Sequence, residues 1–301
     1  MTYSIVARDL ANGELGVAVQ TRWLAVGAGV PWVEPGVGAV ATQSFVEEGY
    51  GPRLLARLRA DEAPADALAA ELAADAQADV RQVGVVDGSG RTAAHTGARC
   101  VAEASHIVRD GFSCQANMME RPIVPAAMAA AYESAMASGA DLADRLMAAL
   151  RAAETEGGDI RGRQSAALVV SGVPGDPPWG RRFDLRVDDH PAPLDELARL
   201  LDLARAFEVL EVGDDALAKG HREAAAAAYA RAVEIAPEDD QAALFTALGL
   251  IDLGRTQDAR PLLRAALAAN PRWRSFVQRY ADAGHHAPVP VELFDPEDVE
   301  P

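Results

Sequence analysis

The sequence predicts a mixed α/β domain, a four-layer αββα sandwich, followed by an all-α domain of tetratricopeptide-like helical repeats. Three observations carry this expectation. Up to about residue 190, strand-like and helical runs come in blocks: strands, helices, strands, helices, strands. Beyond Pro191-Ala192-Pro193 almost every segment is helical, and small residues, glycine and proline recur there 34 positions apart. A doubly wound parallel sheet would need regular strand-helix alternation, which the blocks lack.

The first block reads TYSIVARD, an Asn12-Gly13 turn, LGVAVQT, a glycine-rich stretch, then VGAVATQ after Pro35-Gly36. Short β-rich runs cut by Gly, Pro and Asn are the pattern of consecutive antiparallel strands, so one sheet is expected to open the domain. Gly51-Pro52 introduces RLLARLRA and Ala63-Pro64 introduces ADALAAELAADA. Proline is tolerated in a helix's first turn, and the apolar residues follow at helical spacing. RQVGVVDGSGRTAAHTG is a hairpin about Asp87-Gly88-Ser89-Gly90, and HIVRDGFSCQAN a second about Asp110-Gly111, together a second sheet. After Pro122 and Pro125 two helices are expected, over 125–138 and 140–156, closed by Gly157-Gly158. SAALVVSG and RFDLRVDD return to strand.

Gly220, Ala225, Ala232 and Pro237 recur as Gly254, Ala259, Ala266 and Pro271, at the tetratricopeptide period. GHREAAAAAYARAVEIAP and GRTQDARPLLRAALAANP are the second helices of such repeats, preceded by LDELARLLDLARAFEVL and DQAALFTALGLIDL. Pro261, inside one of these helices, departs from the pattern, which a place in the helix's first turn would accommodate. Two repeats are marginal alone, so WRSFVQRYADAG is expected to cap the stack. The expected domains are 1–192, 193–285 and an acidic tail, 286–301, with five acids and no base over Val289 to Glu300.

Half of the 301 residues are apolar and a quarter are charged, the balance of a globular chain. A net charge of −17 argues against nucleic acid or an anionic membrane as partner, since both need a cationic face. Of 28 basic residues only Lys219 is lysine, so everything before it lacks a lysine that could accept a proton. Cys100 and Cys114 are too few for a disulfide framework and match no zinc spacing. The start, MTYSIVARD, is wrong for a secretory signal and no apolar run approaches a membrane span, so a cytoplasmic protein is expected. No cofactor is called for.

Thr2 is the sharpest chemical feature. If Met1 is removed, as it is when the second residue is small, Thr2 carries a hydroxyl nucleophile and a free α-amino group on one residue. The amino group titrates near pH ~7.7–8.0, close enough to neutrality to take the hydroxyl proton. GGDIRGRQSAA gathers Asp159, Arg161, Arg163, Gln164 and Ser165 in a loop that leads into a strand. Asp159 or Ser165 could orient the α-amino group, and the two arginines would suit a carboxylate-bearing substrate. A solvated loop bridged internally by Asp159 is the alternative.

MTYSIVARD, GELGVAVQTRWLAVGAGVPWVEPGVGAVATQS, YGPRLLARL, RQVGVVDGSGRTAAHTGARC, GGDIRGRQSAALVV and DLRVDDHPAP, in this order, resemble the family known as domain of unknown function 1028 over residues 1 to about 200. The resemblance implies the N-terminal nucleophile hydrolase fold and hydrolysis of an amide (C–N) bond in a small, possibly anionic substrate by Thr2. Threonine enzymes of that fold commonly use a lysine on the second strand. Here Gln20 and Arg22 stand in that region, Arg22 either stabilising negative charge or serving as a strand-end ion-pair partner. Gln43 marks where the fold supplies a backbone oxyanion donor, and Asn117 is a second amide donor near the amino terminus. Ala116, Glu103 and Ser105 depart from the family's usual glycine, tryptophan and Gly-His, which implies a pocket shape of its own.

The residues offer two other chemistries. Cys114 with His106 could form a thiol pair, and Asp188-Asp189-His190 could hold a divalent ion or cap the domain boundary. Against the amidohydrolase stands a non-catalytic reading, a ligand-binding sheet domain with repeats that hold a peptide, such as a cell-wall peptide, or a protein partner. A homo-oligomer is expected in either case.

Overall fold

The computed structural model describes residues 2–290 and 293–294. Met1 and most of the expected acidic tail lie outside them. The chain divides into two compact units, Met1–Ala198 and Arg199–Pro301. Among the described residues there are two antiparallel sheets and nine α-helices, none long and apolar enough to cross a membrane.

The strands of the first unit are β1 (Thr2–Arg8), β2 (Leu15–Thr21), β3 (Pro31–Glu34), β4 (Gly38–Ser44), β5 (Arg81–Asp87), β6 (Thr92–Thr96), β7 (Ser105–Arg109), β8 (Phe112–Asn117), β9 (Ser165–Ser171) and β10 (Arg181–Val187). The opening strands do not share a sheet, contrary to the expectation. A six-stranded sheet runs β10-β9-β2-β1-β8-β7 and a four-stranded one β3-β4-β5-β6. Hairpin patterns identify which strands are neighbours in sequence, but a Gly-rich connection can carry the chain to another sheet as easily as to the next position in the same one. The glycine-rich stretch does this, and it also contains β3, unforeseen from the sequence.

The sheets meet through Val6, Val17 and Val19 on one side and Val33, Ala39 and Ala41 on the other, all buried. On the far face of the four-stranded sheet pack α1 (Tyr50–Arg59) and α2 (Pro64–Ala74), which bury Tyr50, Leu54, Leu58 and Leu68 over Val40, Val83 and Val85. The far face of the six-stranded sheet is covered by α3 (Val124–Ala137) and α4 (Leu142–Thr155). Tyr132 of α3 meets Phe112 of β8 at 4.4 Å between ring centroids. Gly16 lets α4 approach β2: a Cβ there would lie 2.7 Å from Leu146 Cδ1.

In the second unit, α6 (Arg222–Ile235), α7 (Asp240–Asp252), α8 (Thr256–Ala269) and α9 (Trp273–Asp282) pack in sequence after α5 (Pro193–Ala218). The 34-residue spacing is repeated in backbone detail. Gly220 and Gly254 both take left-handed φ, 77° and 71°, and the next N–H bonds back to Ala216 and Leu250, both at 2.8 Å. Ala225, Ala232, Ala259 and Ala266 are all fully buried, which is why small residues recur there. Pro261 lies past the first turn of α8, inside the helix, a correction to its expected place.

Candidate functional site

Thr2 opens β1, the strand flanked by β2 on one side and β8 on the other, and stands directly opposite Thr21 and Asn117. Side chains alternate along β1. Thr2, Ser4 and Val6 face the other sheet; Tyr3 turns the opposite way, where its hydroxyl donates to Glu154 of α4 at 2.8 Å. Burial, then the Glu154 carboxylate, pushes the Tyr3 phenol well above its ordinary pKa, so it remains protonated. The Thr2 hydroxyl donates to Thr21 Oγ1 at 3.2 Å.

Beneath Thr2 lies a buried amide network that joins the sheets. Gln43 Nε2 of β4 donates to Thr2 O (3.2 Å), Gln115 O (3.3 Å) and Gln82 Oε1 (2.7 Å). Asn117 Nδ2 donates to Gln82 Oε1 (2.8 Å) and Thr2 O (3.4 Å). Ser4 Oγ links Gln43 Oε1 and Gln115 Nε2 at 2.6 and 2.7 Å. Each amide nitrogen has two hydrogens, so those of Gln43 and Asn117 are fully committed. The Asn117 side chain therefore has no N–H left for an oxyanion, which corrects that expectation, and both side chains clamp the Thr2 carbonyl; the donor expected at Gln43 is a backbone N–H, which these bonds leave unaffected. Asn117 Oδ1 is left buried without a hydrogen-bond partner.

Thr2, Thr21, Asn117 and Arg161 line a cleft of about 580 Å³. Its walls are the segments after β2 and β4, with Trp23, Leu24, Phe45 and Val46, and Met118 after β8. Ala25, Ser44 and Met118 all line it with positive φ (55°, 72° and 64°), a conformation that costs a non-glycine residue about 1–2 kcal/mol. Such strain gathers where surrounding structure holds a functional site in place. Here the restraints are visible. Ser165, fully buried, donates to Trp23 O at 2.6 Å and accepts Val26 N–H at 3.1 Å, while Ala25 N–H reaches Asp188 O at 2.9 Å.

The expected site residues therefore separate. Asp159 accepts the Arg22 and Arg161 N–H groups, both at 2.9 Å, and pairs with the Arg161 guanidinium at 3.1 Å, so it braces its own loop. Ser165 supports the cleft wall without lining the cleft. Gln20 and Arg163 are corrected as substrate ligands: Gln20 is fully buried on the α4 face, and both side chains go to Glu154, at 3.0 and 3.4 Å. The Arg22 guanidinium donates to Gln164, which reaches Asp189 at 3.1 Å, so neither Arg22 nor Gln164 lines the cleft. Cys114 is fully buried and burial pushes its thiol pKa far up, while His106, held low by burial and then by His95, bonds Thr96; the two form no pair. Asp188 takes Arg186 and His190 Nδ1 accepts Ala192 N–H, and no group of three metal-ligating residues occurs among the described residues. Thr21, Trp23, Leu24 and Phe45 went unforeseen, although apolar residues directly after two strand ends were the available signal.

Residues 2–197 match the profile of a family described as a family of unknown function, DUF1028. A crystal structure of a DUF1028 protein from Silicibacter pomeroyi is similar at 32% identity and a TM-score of 0.61, over 67% of this chain and 85% of that one. No curated protein matches the chain.

Proposed function

The chain belongs to the DUF1028 family, and from that premise we propose that its first unit is an αββα sandwich of the N-terminal nucleophile hydrolase type that hydrolyses an amide bond. The observation that carries the reading is Thr2 itself. It lines a cleft with strained, pinned walls, while its carbonyl is gripped by two buried amides. With Met1 removed, the α-amino group takes the hydroxyl proton as Oγ1 attacks the substrate carbonyl. It returns the proton to the leaving amine, and water then cleaves the acyl ester. No lysine precedes Lys219, so this amino group is the base.

Intact-mass measurement should show a chain lacking Met1. An α′,β′-epoxyketone probe should then label Thr2 through both hydroxyl and amine, closing a ring that needs the two groups free on one residue. Thr2→Ala should abolish labelling and amide hydrolysis with the fold retained. A chain that keeps Met1, or undiminished turnover in Thr2→Ala, overturns the proposal.

The second unit we read as tetratricopeptide-like repeats that engage a peptide or protein partner. The recurrence of the same turn bonds and buried alanines after 34 residues supports that reading.

A further inference from the structure

We infer that the cleft before Thr2 takes a neutral N-acyl amide, its apolar acyl group lying against Trp23, Leu24, Phe45 and Val46 and its amide N–H accepted by Asn117 Oδ1. The inference rests on the amidase reading of the same cleft and adds the substrate class. Three observations lead to it.

The first is the wall. Trp23 is 69% exposed, Leu24 59%, Phe45 58% and Val46 44%, all lining one cleft. Large apolar side chains left together in water mark a surface that gains by being covered. They are also held in place, since Arg81 Nη1 donates to Phe45 O at 2.7 Å and Ser165 Oγ to Trp23 O. A volume of about 580 Å³ falls in the roughly 300–1,000 Å³ range of small-ligand pockets.

The second is charge. Arg161 is the only cationic side chain lining the cleft among the described residues, and its guanidinium pairs with Asp159, whose side chain is fully buried. Glu48 lines the cleft as well. With the α-ammonium that Met1 removal adds at Thr2 these charges sum to about zero, and Arg161 and Arg163 are both paired with carboxylates, which removes the reason for expecting an anionic substrate.

The third is Asn117 Oδ1, an acceptor without a hydrogen-bond partner on a fully buried residue that lines the cleft beside Thr2, its register partner on the neighbouring strand. A buried acceptor without a partner is costly, and an amide substrate brings an N–H where a carboxylate or ester brings none.

The test uses the full-length Thr2→Ala protein, so that binding is read without turnover. Calorimetric titration with the N-butyl amides of acetic, hexanoic and octanoic acid should show affinity rising about fourfold for each methylene the cleft covers. Butyl octanoate, the ester lacking the N–H, should bind about tenfold more weakly than the octanoyl amide. The double variant Trp23→Ser with Phe45→Ser, both at exposed positions, should lose the chain-length dependence at unchanged Tm. Equal affinity across the acyl series, equal binding of amide and ester, or tighter binding of the octanoate anion overturns the inference. Chain-length-dependent binding without turnover by the wild-type protein would keep the ligand class and remove the amidase. Turnover of short amides alone would do the reverse.

Discussion

Gln82 shows how much of the site depends on one side chain that never touches the cleft. Its Oε1 accepts from Gln43 and Asn117, and its Nε2 donates to Ala116 O and Thr96 Oγ1, both at 2.9 Å. Gln82→Leu keeps the volume but leaves two buried amide donors and a strand carbonyl without their partner. At about 1–3 kcal/mol per unsatisfied buried group, partly offset by the bonds to Thr2 O that remain, we expect a loss of about 3 kcal/mol, read as a lower denaturant midpoint at constant m. None of this network was legible from the sequence, because a glutamine in a β-rich run looks the same whether it faces water or a second sheet. Thr2 and Asn117 were legible, one from its unique chemistry and one from its place at a strand end. The misplacement of Gln20 and Arg22 was avoidable. A hairpin loop with an even number of residues pairs Thr2 with an odd-numbered residue of the next strand, here Thr21, so Gln20 and Arg22 must point to the other face.

At the scale of elements, the runs were readable and their partners were not. Alternation and turn residues marked β1, β2, β4, β5, β6, β8 and the helices close to their observed limits, yet β5-β6 joined β4 while β7-β8 crossed to β1. That choice follows from which faces must be buried together, a property of the assembled pair of sheets that no local window contains. One consequence is an ion pair far from the cleft in sequence that supports its wall. Asp75, just after α2, pairs with Arg81 at 2.8 Å, and Arg81 in turn holds Phe45 O. Arg81 holds the Asp75 carboxyl below its usual range, opposed by partial burial. A carboxylate depressed in the folded state stabilises above its unfolded pKa of about 3.9 and loses that contribution as pH falls through the folded value. Asp75→Asn should therefore cost about 2 kcal/mol at neutral pH, and the gap to the wild type should close below about pH 4. A constant gap across that range would mean the charge is not what matters. At neutral pH the same variant should weaken long-chain amide binding, since Phe45 loses its anchor.

Across the whole molecule, each unit has apolar clusters of its own among the described residues, two drawn from residues 6–169 and one from residue 210 onward. The latter is built around Tyr229, which is fully buried and donates to Asp214 Oδ1 at 2.7 Å. Its ring fits only because Gly213 of α5 and Gly249 of α7 lack side chains: a Cβ would come within 2.7 and 2.3 Å of it. Gly249→Ala sets two effects against each other. Helix propensity gains about 1 kcal/mol, while forcing a methyl into a filled slot costs about 1–3 kcal/mol, and at 2.3 Å from an immobilised ring the clash should win by 1 kcal/mol or so. In a unit of this size that lowers the midpoint by about 4–8 °C. Separate cores predict two calorimetric transitions, of which Gly249→Ala moves one and Gln82→Leu the other. A single transition shifted by both variants would overturn that prediction.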